Sequence, residues 1–281
     1  NATNYFFFLL RSQKSFSPSY IVMEISNACN LKCPQCFRQT VDMKVNVQFM
    51  SLDFFSSFIK RNSRNITHVQ FGMWGEPLMN KALPDMIEMA NRAKIKTILI
   101  TNGTLLTKEI MGKIGQAGLN TIQMSFDSIK DEYEAIRGVN FNHALERLGI
   151  AIELKEKYGY HVEITTISAL KKYSLDEFQR FFENYSEHID NIIIKPPYSD
   201  DENKTITFKR PCYRPWHIVG IYSDGIVTMC PFDINRLLVV GDASQDSLKK
   251  IFNSESIKIF RKQFCTGVVP QICRACNPFY R

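Results

Sequence analysis

The sequence predicts an α/β fold: six strands and their intervening helices forming an open, partial (β/α)6 barrel, with a small cysteine-rich domain after it. Short apolar runs rich in Ile, Val and Thr alternate with amphipathic helical segments over the first two thirds of the 281 residues. This rhythm stops at Lys195-Pro196-Pro197, and five of the eight cysteines lie beyond that point. The break therefore predicts a change from the barrel to a second, metal-stapled unit.

The six predicted strands are β-branched and apolar, as strands buried on both faces of a parallel sheet are. Six strands that alternate with helices pair in parallel through right-handed crossovers. They fall short of the eight strands of a closed (β/α)8 barrel, so the barrel is expected to stay open. The strands are predicted at Ile21–Ile25, Ile66–Gly72, Ile95–Thr101, Thr121–Phe126, His161–Ser168 and Asp190–Lys195.

The helices between these strands show apolar residues at helical spacing, and several follow a residue that caps helix N-termini. Ser51, Thr107 and Ser174 are the predicted capping residues. The helices are predicted at Ser51–Arg61, Leu83–Ala93, Lys108–Ala117, Asn142–Lys157 and Ser174–Glu187.

Beyond the barrel, a polar linker at Tyr198–Lys204 leads to a β-hairpin, because Asp224-Gly225 separates two apolar runs. Three domains follow from this pattern: an N-terminal extension over residues 1–20 that packs on the core, a barrel over 21–198 and a small domain over 199–281. The elements predicted in the small domain are strands at Ile218–Ser223, Ile226–Met229 and Leu237–Val240, and short helices at Leu248–Phe252 and Ile257–Phe264.

Composition excludes several classes of protein. Hydrophobic residues make up 44% of the chain, enough for a normal core. The net charge of +7 contains no run of five or six like charges, which disfavours nucleic-acid binding. No stretch of 18 apolar residues is present, so we expect no membrane span. The cysteines sit in two separate groups, and this distribution favours reduced, metal-binding thiols in the cytoplasm over a secreted disulfide framework.

The first cysteine group follows the first predicted strand directly, at the edge where parallel α/β folds place their chemistry. Cys29, Cys33 and Cys36 have the spacing C-x3-C-x2-C. Three thiolates can bind three irons of a [4Fe–4S] cluster and leave the fourth iron open for another ligand. A zinc site or three unrelated core cysteines are the alternatives.

This group resembles the signature of the radical S-adenosylmethionine (SAM) superfamily. The resemblance implies that the open iron binds the amino and carboxylate groups of SAM. It further implies that SAM is cleaved to methionine and a 5′-deoxyadenosyl radical, which removes a hydrogen atom from a substrate. An external electron donor such as flavodoxin or ferredoxin is then expected.

Further segments resemble that family in the same order along the chain, and most lie at the ends of consecutive predicted strands. In Gly75-Glu76-Pro77, the resemblance implies that Glu76 and the backbone hold the ammonium group of SAM. Thr101-Asn102 resembles the segment near the ribose, and Ser125 and Asp127 at the end of strand four are expected polar contacts to SAM. Arg137 is expected to bind the SAM carboxylate. Each motif alone is also typical of an ordinary turn.

The second cysteine group comprises Cys212, Cys230, Cys273 and Cys276, and four thiolates complete the shell of a [4Fe–4S] cluster. The pattern resembles the SPASM/twitch tail of radical SAM enzymes, in its short form with one auxiliary cluster. That form occurs in 2-deoxy-scyllo-inosamine dehydrogenase, and radical SAM epimerases are similar. A structural four-cysteine zinc site is the alternative.

Two further residues are candidates for catalysis. Cys265 is left over from both groups; it is either a small buried hydrophobe or a thiol that donates a hydrogen atom to a substrate radical, as in related epimerases. Lys195 ends strand six, where it is either a proton acceptor or a solvated lysine.

The sequence leaves more than one function open. The first hypothesis is oxidation or epimerisation of a small polar metabolite such as a sugar or cyclitol, in which the auxiliary cluster takes an electron or Cys265 returns a hydrogen atom. The second is maturation of a peptide, which is disfavoured because no segment is long enough for a separate peptide-recognition domain. The third is a non-catalytic iron–sulfur or zinc module.

Overall fold

The computed structural model describes residues 2–34, 36–40, 46–167, 172–195 and 212–266, together with Cys273. The predicted linker and Cys276 lie outside these ranges. The described part confirms the α/β class, with a parallel sheet followed by antiparallel strands and helices. None of its helices combines the length and the apolar character needed to cross a bilayer.

The strands of the described residues form one sheet in the order β6-β5-β4-β3-β2-β1-β7-β8-β9. The first six lie side by side in chain order and pair in parallel, so their carboxyl ends share one edge. The strands are β1 (Tyr20–Met23), β2 (His68–Phe71), β3 (Lys96–Thr101), β4 (Thr121–Ser125), β5 (His161–Ile167), β6 (Asn191–Lys195), β7 (Ile218–Ile221), β8 (Ile226–Thr228) and β9 (Val239–Asp242).

The parallel strands β1 to β6 form an open sheet, as a partial barrel requires. Burial raises the pKa of the Tyr20 hydroxyl on β1, and the charge of Glu163 on β5 raises it further.

Helices cover the outer face of the sheet and bury its alternate side chains. Val69, Phe71 and Leu99 are completely buried between sheet and helices. The Ser51, Thr107 and Ser174 side chains each accept a backbone hydrogen bond at a helix start. The helices are α1 (Ala2–Leu9), α2 (Phe37–Thr40), α3 (Leu52–Asn62), α4 (Leu83–Arg92), α5 (Lys108–Gln116), α6 (Lys130–Arg137), α7 (Phe141–Tyr158), α8 (Leu175–Glu183), α9 (Leu248–Ile251) and α10 (Glu255–Cys265).

Helix α6 is an element that the sequence analysis did not predict. Its eight residues are mostly charged, and only Glu132 and Tyr133 are buried, so few apolar residues mark it in the sequence. It ends at Gly138, whose φ of 68° lies in the left-handed region that favours glycine. The helix matters for the site because it carries Arg137.

The C-terminal strands continue the barrel sheet rather than forming a sheet of their own. Strand β7 pairs in parallel with β1, and β8 and β9 follow in antiparallel order. The predicted hairpin turn lies between β7 and β8, where Gly225 has a φ of 88° and donates to the Tyr222 carbonyl at 2.9 Å. One strand, β1, thus joins the loop with the first cysteines to the hairpin that precedes Cys230.

The N-terminal extension packs against the C-terminal region. The buried Asn4 side chain donates to the Ser17 carbonyl at 2.7 Å, and Ser15 donates to Asn4 at 3.0 Å. Trp216, which is completely buried, donates from its indole nitrogen to the Ser12 carbonyl at 2.8 Å. Aromatic contact between Phe8 and Trp216 completes this packing.

Candidate functional site

The first three cysteines lie in the loop between β1 and α2. Cys29, Cys33 and Cys36 are half-buried, and none forms a disulfide. The Cys36 amide donates to the Cys33 carbonyl at 2.9 Å, and the Gln39 amide donates to the Cys36 carbonyl at 2.8 Å, which leads the loop into α2. The loop therefore presents three free thiols at the carboxyl end of the first strand.

Burial raises the pKa of the Cys29 and Cys33 thiols, and the neighbouring thiols of the trio raise it further. These thiols lose their protons less readily than solvated ones, so a metal that binds them as thiolates has to compensate the negative charge. Within the described ranges no three His, Cys, Asp or Glu side chains converge tightly enough for a single metal ion. Three thiols from one loop can each bind a separate iron of a cluster.

Gly75 lies directly against the backbone of the cysteine loop. A Cβ atom at this position would be 2.0 Å from the Ser26 carbonyl oxygen and 2.7 Å from that of Ala28. The next amide, that of Glu76, donates to the Ala28 carbonyl at 2.7 Å. Only glycine permits this approach, which holds the Gly75-Glu76-Pro77 segment beside the loop that bears Cys29.

The carboxylate of Glu76 is almost completely buried and connects two strand ends. It accepts hydrogen bonds from Thr101 Oγ1 at 2.6 Å, from the Asn102 amide at 2.9 Å and from the Leu78 amide at 3.0 Å. Burial raises the pKa of Glu76, and these three donors oppose that rise. Glu76 thus binds the end of β3 to the Pro77 turn, and its remaining lone pairs are available to an ammonium group.

Asn102 extends from the end of β3 to the cysteine loop. Its Nδ2 donates to Cys29 Sγ at 3.8 Å and to Asn30 Oδ1 at 3.1 Å. Its Oδ1 accepts from the amide and the hydroxyl of Thr104 at 2.9 and 2.6 Å, which fixes the orientation of the side chain. The structure therefore brings Asn102 to the first cysteine of the trio.

Asp127 and Arg137 form an ion pair of 2.8 Å beside the trio, with both side chains about nine-tenths buried. The Arg137 Nε is a buried donor that has no partner among the described residues, and the charge of Arg137 acts on Cys33. An unpaired buried guanidinium nitrogen next to the cysteine loop fits a carboxylate of a bound cofactor. The donor set and this orphaned nitrogen together fit SAM on a three-cysteine cluster.

Ser125 is the last residue of β4 and Lys195 is the last residue of β6, so both lie at the carboxyl edge of the parallel sheet. Thr165 on β5 donates to Ser125 Oγ at 3.5 Å. Lys195 is half-buried, and burial lowers the pKa of its amine, with a further lowering by the charge of Arg214. The opposite charges of Asp127 and Glu163 act against this shift. Lys195 is therefore less protonated than a solvated lysine.

The second cysteine group is described in part. Cys212, Cys230 and Cys273 are half-buried and free of disulfides, whereas Cys276 lies outside the described residues. Cys230 follows β8, and its amide donates to the Thr228 hydroxyl at 3.5 Å. Partly buried thiols can bind the irons of a cluster, and the SPASM resemblance implies such a set here.

Cys265 lies apart from the barrel edge. It is the last residue of α10, and its Sγ donates to the Arg11 carbonyl of the N-terminal extension at 3.2 Å. Burial raises the pKa of this thiol. No contact observed in the described residues joins Cys265 to the trio or to Lys195.

The structure adds residues that the sequence analysis missed. Arg38 follows Cys36 by two positions, its Nε is buried without a partner, and its charge acts on Cys29. The Tyr133 hydroxyl is also buried without a partner, and the charges of Asp127 and Arg137 act on it. A cation two residues after the trio was visible in the sequence, but Tyr133 lies on the unpredicted helix α6.

Two sequence families match the chain. The profile of the Radical SAM superfamily matches residues 23–207, and that of the SPASM iron–sulfur cluster-binding domain matches residues 212–277. Among curated proteins, the Fe-coproporphyrin III synthase of Methanosarcina barkeri is 30% identical over 56% of this chain and 39% of its own length. The chain spans less than half the length of this relative and of two other curated relatives that it matches.

Solved structures share the fold along nearly the whole chain. The structure of BtrN in complex with AdoMet and 2-DOIA has a TM-score of 0.65 and 16% sequence identity, and the match covers 94% of both chains. The structure of anSMEcpe with bound AdoMet and the Cp18Cys peptide has a TM-score of 0.68 and 16% identity, covering 94% of this chain and 87% of that one. At these identities the likeness shows a common fold.

Proposed function

Because the chain belongs to the radical SAM superfamily and carries a SPASM iron–sulfur cluster-binding domain, we propose that it oxidises an alcohol carbon of a small polar molecule to a carbonyl. When bound on its [4Fe–4S] cluster, SAM supplies a 5′-deoxyadenosyl radical that removes a hydrogen atom from the substrate carbon. The residues proposed to hold the two clusters are Cys29, Cys33 and Cys36 for SAM, and Cys212, Cys230, Cys273 and Cys276 for the auxiliary cluster.

The protein's own part begins with the binding of SAM. We assign the SAM ammonium group to Glu76 and the SAM carboxylate to Arg137, whose Nε is buried and unpaired. Asp127 holds Arg137 from its other side through the 2.8 Å ion pair. Asn102 orients the loop at Cys29. These contacts fix the cofactor at the edge where β1, β3 and β4 end.

Lys195 is the residue proposed to accept a proton in this oxidation. Removal of a hydrogen atom from an alcohol carbon acidifies its hydroxyl group, and a nearby base can then accept the proton. The remaining electron would pass to the auxiliary cluster, which would complete the oxidation to a carbonyl. Burial lowers the pKa of the Lys195 amine, which increases the fraction of the neutral, proton-accepting form. Lys195 lies at the end of β6, on the same edge as the cofactor residues.

The comparisons support a compact substrate in part. BtrN, whose structure contains AdoMet and 2-DOIA, matches this chain over 94% of both lengths. The curated relatives named for coproporphyrin and heme synthesis match a shorter segment. Epimerisation is the alternative on a small molecule, and it receives less support because the Cys265 thiol donates to Arg11 rather than facing the barrel edge.

Peptide maturation is the second candidate, because anSMEcpe binds a peptide and shares this fold. A panel of polyols, aminocyclitols and short peptides, each deuterated at its candidate carbon, separates the two. We expect deuterium to appear in 5′-deoxyadenosine only with an alcohol substrate, together with one carbonyl product. Deuterium transfer from a peptide alone would contradict the proposal.

The role of Lys195 is tested with Lys195→Met and its control Lys157→Met, which removes an exposed lysine from α7. We expect Lys195→Met to keep the slow cleavage of SAM without substrate and to lose carbonyl formation by a factor of about 10² or more. The control should keep both. Carbonyl formation at the original rate in Lys195→Met would refute the assignment of the base. For epimerisation, deuterium from heavy water would enter the product and disappear with Cys265→Ala.

A further inference from the structure

The C-terminal region contains a buried arginine that has no acidic partner among the residues the structure describes. Arg261 on α10 is completely buried. Its Nε donates to the Pro215 carbonyl at 2.9 Å, its Nη1 donates to the Gln13 carbonyl at 3.0 Å, and its Nη2 has no partner. The guanidinium carbon is 4.4 Å from the ring centre of Phe252 and 5.9 Å from that of Trp216.

Within the described part of the chain, this arrangement leaves a positive charge uncompensated. Burial lowers the pKa of Arg261 to about 9, and no acidic group among the described residues acts on it. Since this value is still above 7, the side chain stays a cation at neutral pH. Taking such an ion out of water costs several kcal/mol unless an anion compensates it, and two carbonyl groups and two rings compensate only in part. Arg261 thus calls for a nearby anion that is not a carboxylate of the described residues.

The position of Arg261 suggests which anion this is. Pro215, which accepts its hydrogen bond, follows Cys212 by three residues. Helix α10 ends at Cys265, and the chain then continues to Cys273 and Cys276. The hydrogen bond from Arg261 therefore joins the two segments that bring three of the four C-terminal cysteines. Four thiolates give a [4Fe–4S] cluster a net negative charge, which increases on reduction.

We propose that Arg261 is the counter-charge of the auxiliary [4Fe–4S] cluster and raises its reduction potential. A buried cation stabilises the more negative, reduced cluster more than the oxidised one, and the low dielectric of the interior strengthens this difference. The proposal rests on the auxiliary cluster of the proposed function and is independent of the substrate. Arg261 acts here as a positioning and tuning residue, because it holds no reacting atom.

The test is a redox titration of the auxiliary cluster, followed by electron paramagnetic resonance. The full chain is reconstituted anaerobically with Cys29, Cys33 and Cys36 changed to Ala, so that only one cluster contributes. We expect Arg261→Gln to lower the midpoint so that the ratio of reduced to oxidised cluster at a fixed potential falls about tenfold, or about 59 mV for one electron. Arg261→Lys keeps the charge and should stay near the original midpoint.

Lys262→Gln is the matched control, because it removes a positive charge from the adjacent, exposed position. It should leave the midpoint unchanged. Equal midpoints in the original protein and Arg261→Gln, at equal iron content, would overturn the proposal. If Arg261→Gln does not fold, a tenfold shift in Arg261→Lys would overturn it. If the original protein binds no auxiliary cluster, both this proposal and the proposed function are overturned. Equal midpoints overturn this proposal alone.

Discussion

Replacing Gly75 by alanine should disconnect the cysteine trio from the SAM-binding edge. The added methyl group would lie 2.0 Å from the Ser26 carbonyl oxygen and 2.7 Å from that of Ala28, and both obstacles are backbone. Relief therefore requires the segment before Cys29 to move. Overpacking of this kind costs about 1–3 kcal/mol. Loss of the 2.7 Å hydrogen bond from the Glu76 amide to Ala28 adds about 1 kcal/mol.

We thus expect Gly75→Ala to lose about 2–4 kcal/mol of unfolding free energy in urea. After anaerobic reconstitution it should hold about four irons instead of about eight, because only the auxiliary cluster forms. Gly149→Ala is the matched control: its methyl group meets nothing within 4 Å on the exposed face of α7. That change should stabilise the protein by about 1 kcal/mol. Full iron content and unchanged stability in Gly75→Ala would refute the reasoning.

Asn102→Leu removes the N–H donor 3.8 Å from Cys29 Sγ, and we expect the reduction potential of the SAM cluster to fall in a redox titration. Asp127→Asn leaves Arg137 as a buried cation without its 2.8 Å partner, so urea denaturation should show a loss of about 3–5 kcal/mol. Burial lowers the pKa of His217 from 6.5 to about 4, so the unfolded chain binds its proton first as pH falls. Stability should therefore decline from pH 6.5 towards 4, and His217→Gln should flatten that decline; an equal slope in both proteins would contradict the assignment.

Much of the fold was predictable because its signals are local. The strands β1 to β6 are buried runs of β-branched residues, and the cap at Ser174 is a local hydrogen-bond pattern that its own residues specify. Helix α6 is short and mostly charged, and it could not be recognised in this way. The pairing of β7 with β1 joins residues almost 200 positions apart, and no local pattern carries such information.

In the candidate site, too, local features were predictable from the sequence and long-range contacts were not. The spacing of Cys29, Cys33 and Cys36 is a property of the sequence, and so is Gly75 before Glu76. The contacts between site residues are not visible in the sequence. The ion pair of Arg137 with Asp127 and the contact of Asn102 with Cys29 depend on how the strand ends meet in space. Nothing in the sequence indicated that Arg261 is buried, because its burial results from packing between the N-terminal extension, α10 and the Pro215 turn.

The central claim is that Cys29, Cys33 and Cys36 hold an iron–sulfur cluster with one iron free for SAM. Its most direct test is the electron paramagnetic resonance spectrum of the reduced protein before and after addition of SAM. We predict that SAM changes the cluster signal of the original protein and leaves that of the triple Cys→Ala variant unchanged. A signal that ignores SAM in the original protein, or zinc in place of iron at the three cysteines, would contradict the account.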